Sequence, residues 1–542
     1  MINKKDYKIA YFSMEVALEE GLETYAGGLG ILAGDLLRSA HDLGLPMLGL
    51  SLLNNKGYFN QSLDKTGEQT ELPEKNFDFS RLKKMPQLVS VNIGSDEVMV
   101  AAWQYLIDNE APIYLLDTNL SENAPEYQDL TSSLYGSDKE HRLKQEIILG
   151  RGGVKMLAEL GYDVNKFHIN EGHGIMAAIE LFSSSTQNNE PEKIREVKKK
   201  IVFTIHTSIK AAQDVLPNEV LIKNVPDFPI NLPGLSRDGR VSLTDVGVYF
   251  SNYVNGVSLS HKNVLEKIFP DIDVHAVTNG VRALTWTSAE FQALYDKYIP
   301  GWRMSSSFLV EANSIPLPEL WQAHQKNKEH LLDYITQKQE IFLKAKTFTI
   351  GFARRFTAYK RPLMLLTDME RLLSIHQDVG KIQIIYAGKA HPNDLDGKKM
   401  IKEIYHIKDA YRDKIDIVFL EDYEISLAKL LVAGVDLWLS NPLPPNEASG
   451  TSGMKAAHNG VPQLSTFDGW WVEGYIKDKT GWLIEGESID LYNILEQEII
   501  PMYYNNPESY QRLMRSTISL SASVFSSERA LRKYNGQAYQ RR

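Results

Sequence analysis

A chain of 542 residues is too long for one ordinary domain, and 43% apolar with 24% charged residues is the balance of a globular protein with a large core. Its 59 basic and 69 acidic residues leave a net charge of -10, which argues against a nucleic-acid partner and requires any anion site to be built locally, against the overall field. The absence of cysteine excludes disulfides, thiol nucleophiles and zinc–thiolate sites together.

The first residues, Met1 to Lys8, lead straight into a strand-like run without the apolar core of a signal peptide. The most apolar long window, Ile425 to Ser440, is interrupted by Lys429 and Asp436, so no membrane span is expected and the location expected is cytoplasmic. Short β-rich runs then alternate with helix-like segments, the pattern of parallel α/β sheets. In the first half the predicted strands are Lys8–Phe12, Met47–Leu53, Lys166–Ile169, Ile201–Ile205 and His275–Val277. In the second half they are Thr347–Phe352, Ile382–Tyr386, Asp416–Leu420, Val435–Leu439 and Pro462–Ser465. A mostly helical stretch, Ala283 to Lys346, separates the two sets, with a turn at Ile315 to Pro318. Leu63–Lys84 reads as a polar excursion, Ser183–Glu192 as a surface loop, and Pro507–Arg542 as polar helix. The expected division is residues 1–280 and 281–542, two sheet domains facing across a cleft, with a terminal helix at about 520–542 returning to the first.

The unusual residues fall just past the predicted strands. Asn170, Glu171 and His173 follow one strand, His206 and Thr207 the next, and Asn279 a third. Arg354, Arg355, Lys360 and Arg361 follow the first strand of the second half, Gly388 to His391 the next, and Glu421 to Tyr423 the one after. Open α/β sheets bind ligands outside the carboxyl ends of their strands.

Two glycine-rich loops stand out. Tyr25 to Gly30 opens a helix, and Asn446 to Lys455 joins an apolar strand to a first helical turn ending in a lysine. Strand, small-residue loop and helix start together hold phosphate, because free backbone N–H groups and the helix dipole attract an anion. Taken singly, such loops also serve as plain tight turns. The four cations between 354 and 361 repel one another, so they either face water or share an anion such as phosphate. Glu171, Asp468 and Glu473 are the carboxylates available for acid–base work on sugars, but their spacing fixes no pair separation. Trp470, Trp471, Tyr25 and Tyr423 are candidates to line a carbohydrate site, although buried aromatics more often belong to a core.

Together, from about Ile9 through Tyr475, these residues resemble the α-glucan (glycogen/starch/maltodextrin) phosphorylases in their short prokaryotic form. The segment Glu447 to Lys455 is similar to the one whose lysine carries pyridoxal 5′-phosphate as a Schiff base in that family. The resemblance implies an α/β, GT-B fold of two Rossmann-like domains. It also implies retaining, reversible transfer of the terminal α-1,4-glucosyl unit of a glucan to inorganic phosphate, giving α-glucose 1-phosphate. By the same resemblance Gly28, Arg354, Thr451 and Ser452 hold the cofactor phosphate, while Tyr423 and Glu421 border its ring. Arg355 and Lys360 take the substrate phosphate, and Leu29, Asn279, Glu447, Ala448, Ser449, Gly450 and the His206 carbonyl face the sugar. No metal is implied, and homo-oligomer formation is left open. Departures are Arg354 where a lysine is expected, Ser452 and Gly453 as in short forms, and His458 where an apolar residue is expected. No segment matches the phosphoserine switch of the long animal enzymes, so regulation of that kind is not expected. The rivals are a nucleotide-sugar glycosyltransferase, a pyridoxal-dependent aminotransferase and a non-catalytic glucan-binding protein.

Overall fold

A computed structural model describes residues 6–22, 24–73, 77–135, 138–209 and 214–541. Two large sheets organise them. The first runs Val274–Ala276, Tyr253–Gly256, Ile201–Thr204, Lys166–Asn170, Ile9–Phe12, Met47–Leu52, Ala111–Asp117, Asp96–Ile107 and Lys83–Lys84, with Val89–Ile93 also paired to Asp96–Ile107. It is parallel from Val274 to Ala111–Asp117 and antiparallel beyond. The second is wholly parallel, in the order Asp416–Leu420, Ile382–Ala387, Phe348–Ala353, Leu437–Ser440, Gln463–Thr466 and Gly481–Ile484.

Continuous apolar runs make these central strands because helices cover both faces of a parallel sheet, leaving no polar side. Phe348–Ala353 and Ile382–Ala387 are buried at every position. All ten predicted strands form, Asp416–Leu420 with the expected bounds and the others with boundaries shifted by one or two residues. Tyr253–Gly256, Asp96–Ile107, Ala111–Asp117 and Gly481–Ile484 were not anticipated.

Strand order decides where ligands can sit. In the second sheet Phe348–Ala353 lies between Ile382–Ala387, the next strand in sequence, and Leu437–Ser440, the fourth. The chain reverses direction across the sheet there, and the loops leaving those two strands part to open a crevice. The first sheet has the same reversal at Ile9–Phe12, flanked by Met47–Leu52 and Lys166–Asn170.

The two sheets are joined at several points. The helix Gly28–Asp42 (α1) packs against the C-terminal helix Ser527–Tyr534, with Ser39 and Ser527 hydroxyls 2.6 Å apart. Tyr534 also hydrogen-bonds Thr204 and Asn255 inside the first half, and the Tyr539 hydroxyl lies 2.7 Å from His168 Nδ1. The polar stretch expected at Leu63–Lys84, of which 74–76 lie outside the described residues, contributes to a clasp. The hairpin Asn60–Leu63/Gln69–Leu72 reaches the second sheet, where Gln61 exchanges hydrogen bonds with Asp422 and Gln69 with Ala390. Among the described residues no helix is long and apolar enough to cross a membrane.

Candidate active site

The crevice of the second sheet gathers residues far apart in sequence. Arg354 and Lys360 follow Phe348–Ala353, and Glu447 lies on the loop after Leu437–Ser440; all three are buried. Lys360 Nζ bonds Glu447 Oε2, and Arg354 Nη2 stands 3.5 Å from the same oxygen. Burial pushes the Lys360 ammonium down to about 7, Glu447 working in the opposite direction and Arg354 adding to the depression. Burial opposes ionisation of Glu447 too, yet Lys360 and Arg354 together hold its carboxyl below the usual value. Arg354 keeps two guanidinium nitrogens, Nε and Nη1, buried without a hydrogen-bond partner, and Ser449 Oγ is in the same condition. A site in which buried donors outnumber acceptors is chemically prepared for an anion.

Lys455 sits on the short helix Ser452–Ala457, only 6% exposed. Its Nζ lies 4.1 Å from the centroid of the Trp286 ring, and burial lowers its pKa to about 8, with Asp35 opposing. That helix must pack closely: a Cβ on Gly453 would fall 1.4 Å from Gln463 Oε1. Gly450 adopts φ +74°, turning the loop beside the Glu447 side chain. Ser452 Oγ accepts from Trp438 Nε1 at 3.0 Å, and Thr451 caps the helix start through its backbone.

From the first sheet, α1 begins at Gly28 with no side chain capping it. Nothing lies within 4 Å of a Cβ placed on Gly27 or Gly28, so the turn is open to a ligand. Leu29 is partly exposed on that turn. Glu15, three residues past the first strand, holds the turn from behind: its Oε2 accepts from Ala26 N at 2.6 Å and Gly27 N at 3.1 Å, and its Oε1 from the Tyr135 hydroxyl. Ile31 of α1 packs against the cluster containing Trp286 and Met454, which brings the two glycine loops together.

The remaining predicted residues divide. His206 donates its backbone N–H to Glu171 and pairs its Nε2 with Asn170 Oδ1; burial holds its pKa near 3, so its ring stays neutral and is no general acid. Tyr423 is partly buried near Arg354, and burial raises its pKa while Arg354 opposes. Glu421 is turned toward the hairpin, its Oε2 accepting from Leu63 N. Arg355 is exposed beside Tyr359. Asn279 is buried with its carbonyl accepting from Arg529, and the Ala448 carbonyl accepts from Ser258 across the two halves.

The three nominated carboxylates are anchors for backbone. Glu171 binds Gly172 N, His206 N and Thr207; Asp468 binds Glu447 N, Gly469 N and Ser260; Glu473 binds Leu259 N and Thr278. Trp470 and Trp471 are 3% and 1% exposed and belong to the core, not to a sugar platform. His173 faces Arg142 and Asp214; with Glu146 it could form a cation-ligating cluster, but the Arg142 guanidinium already fills the space. His458 is wholly buried, both ring nitrogens unpartnered and its pKa near 3, as an imidazole in an apolar position must be. Glu15, Tyr135, Asp35 and Trp286 were missed. Of these only Glu15 carried a signal, its place just past a strand.

Comparison with known proteins agrees with this geometry. Residues 231–482 match the carbohydrate phosphorylase family, and residues 8–276 match the starch synthase catalytic domain. The chain is 36% identical to the maltodextrin phosphorylase of Thermococcus litoralis, over 99% of this chain and 71% of that protein. It is also 36% identical to the glycogen phosphorylase of Aquifex aeolicus, over 98% of this chain and 86% of that one. An uncharacterised protein of Methanocaldococcus jannaschii is 31% identical over 98% of this chain and 99% of its own length. With the GT-B arrangement of its sheets and near full-length similarity to these relatives, the chain belongs to the carbohydrate phosphorylases, a family of glycosyltransferases.

Proposed function

We propose that the protein is a retaining α-1,4-glucan phosphorylase, moving the non-reducing terminal glucosyl unit of a maltodextrin or glycogen chain to inorganic phosphate and releasing α-glucose 1-phosphate reversibly. One observation carries the reading: Arg354, Lys360 and Lys455 are buried cations collected at the second sheet's reversal point, with unpartnered donors and an open helix start nearby. Phosphoryl groups supply the missing negative charge.

The residues fit pyridoxal 5′-phosphate. Lys455 is buried with a lowered pKa, so about a tenth of its amine is neutral and nucleophilic at pH 7, far more than for an ordinary lysine. Gly28, Arg354, Thr451 and Ser452 would hold the cofactor phosphate, with Tyr423 beside the ring. When bound, the cofactor contributes a phosphate able to exchange a proton with the substrate phosphate. Arg355 and Lys360 would bind that second phosphate. Their charge stabilises the build-up of negative charge as the glycosidic bond breaks. Glu447 balances Lys360 and Arg354 and, with Asn279 and the Ala448–Gly450 backbone, would hold sugar hydroxyls. His206 remains neutral, so its carbonyl rather than its ring would face the developing cationic sugar.

A nucleotide-sugar transferase is the second reading, favoured by the starch synthase match over residues 8–276. It gives Lys455 no role. The test is glucose 1-phosphate release from maltodextrins and phosphate, together with borohydride reduction and peptide mapping. Tagging of the peptide containing Lys455, and loss of both tag and turnover in Lys455→Ala, are expected; an active, untagged Lys455→Ala protein refutes the reading.

A further inference from the structure

Asp35 is a buried carboxylate in the middle of α1 with no part in the chemistry above; it is 2% exposed. Its Oδ2 accepts two hydrogen bonds from the second half of the chain, from Trp286 Nε1 at 2.7 Å and Arg282 N at 3.1 Å. Trp286 is also 2% exposed, and its carbonyl accepts from Asn459 Nδ2, which donates again to the Lys455 carbonyl. Trp286 is thus held twice, its ring through the N–H and its backbone through the carbonyl. One face of the indole receives Lys455 Nζ, 4.1 Å from the ring centroid.

We infer that Asp35 and Trp286 are positioning residues for the Lys455 amine: the carboxylate sets the plane of the indole, and the indole face sets where the amine waits. An indole has one N–H, directed in its plane, so a buried acceptor at 2.7 Å admits essentially one ring orientation. Tryptophan is the best aromatic partner for an ammonium, and a carboxylate on the far edge strengthens the attraction. The inference rests on Lys455 as the cofactor-bearing lysine. There the amine condenses with an aldehyde, forming a carbon–nitrogen double bond as the carbonyl oxygen leaves as water. Because Asp35 belongs to α1, whose first turn is the proposed phosphate-binding start, a shift of that helix would move the amine as well. The charged groups around Asp35 are Lys455, Arg38 on its own helix, Arg282, and Lys429 from the helix Ile425–Gly434.

Asp35→Asn keeps an acceptor for the indole and removes the charge, whereas Asp35→Ala and Trp286→Phe remove the hydrogen bond. In full-length protein titrated with pyridoxal phosphate and followed by absorbance, Asp35→Asn should bind within about threefold of the unchanged protein, and the other two about tenfold more weakly. The pH transition of the bound chromophore should fall by about one unit in Asp35→Asn, a tenfold loss of proton affinity, because a nearby negative charge is gone. An unmoved transition in Asp35→Asn, or full affinity in Asp35→Ala, overturns the inference even if one variant folds poorly. Absence of borohydride tagging at Lys455 in the unchanged protein overturns both this inference and the functional reading beneath it. Tagging with unaltered variants overturns this inference alone.

Discussion

Raising the pH should loosen the site's hold on a divalent oxyanion, and Lys360 sets where that begins. Its ammonium stands at about 7 against an ordinary 10.5, because burial outweighs the attraction of Glu447. The gap represents roughly 5 kcal/mol against the charged form. Since the folded-state value is lowered, the unfolded chain binds the extra proton across the window from 7 to 10.5. Stability contributed by this residue therefore rises with pH through that window, and the full cost of charging it is present below it. A bound dianion favours the charged lysine, so binding above 7 draws in a proton and affinity falls by up to about tenfold per pH unit. Sulfate suits the test because it does not titrate near neutrality. Calorimetry from about pH 6 to about pH 9, in two buffers of different ionisation heat, should show uptake approaching about one proton at pH 8. Glu447→Gln removes the group that raises Lys360, so the decline should start at lower pH. Lys360→Met should bind weakly with no such dependence. A flat profile with buffer-independent heats in the unchanged protein would show that Lys360 is not the titrating cation.

Three further perturbations follow from packing. Asp436 is wholly buried and binds Lys328 Nζ, His324 Nε2 and the Thr349 N–H. Asp436→Ala should lower stability by about 3–5 kcal/mol by stranding Lys328, and pairing Asp436→Leu with Lys328→Met should recover most of it in the unfolding midpoint. Gly453→Ala must displace the Lys455 helix from Gln463, costing about 1–3 kcal/mol and weakening cofactor loading. Gly28→Ala meets no neighbour, so its unfolding midpoint should hold while phosphate affinity drops; unchanged affinity would remove the α1 turn from the anion site.

How much of this was legible in the chain depends on the range of the signal. Ten strands could be read because a strand buried on both faces is mostly apolar, a property of three to six adjacent residues. Asp96–Ile107 escaped because its antiparallel pairing near the sheet's edge leaves several positions half-exposed and breaks the run, whereas Ala111–Asp117 is apolar up to Asp117, buried at every position, and was simply overlooked. The two glycine loops and the cations from 354 to 361 were visible because each is a short, dense motif. Glu171, Asp468 and Glu473 looked like acid–base candidates, yet the fold uses each to bind backbone N–H groups that would otherwise be buried unpaired.

The sequence by itself determined a two-sheet α/β protein, since apolar runs are local properties that survive without coordinates, and its dense motifs carried the resemblance to the glucan phosphorylases. Only the tertiary structure decided that Lys360 neutralises Glu447, that Glu15 secures the first glycine turn and that Asp35 orients the indole beneath Lys455. Those pairings join positions from 11 to 251 residues apart. Strand order, not spacing along the chain, brings such groups within hydrogen-bonding reach, and burial then fixes which of them carry charge.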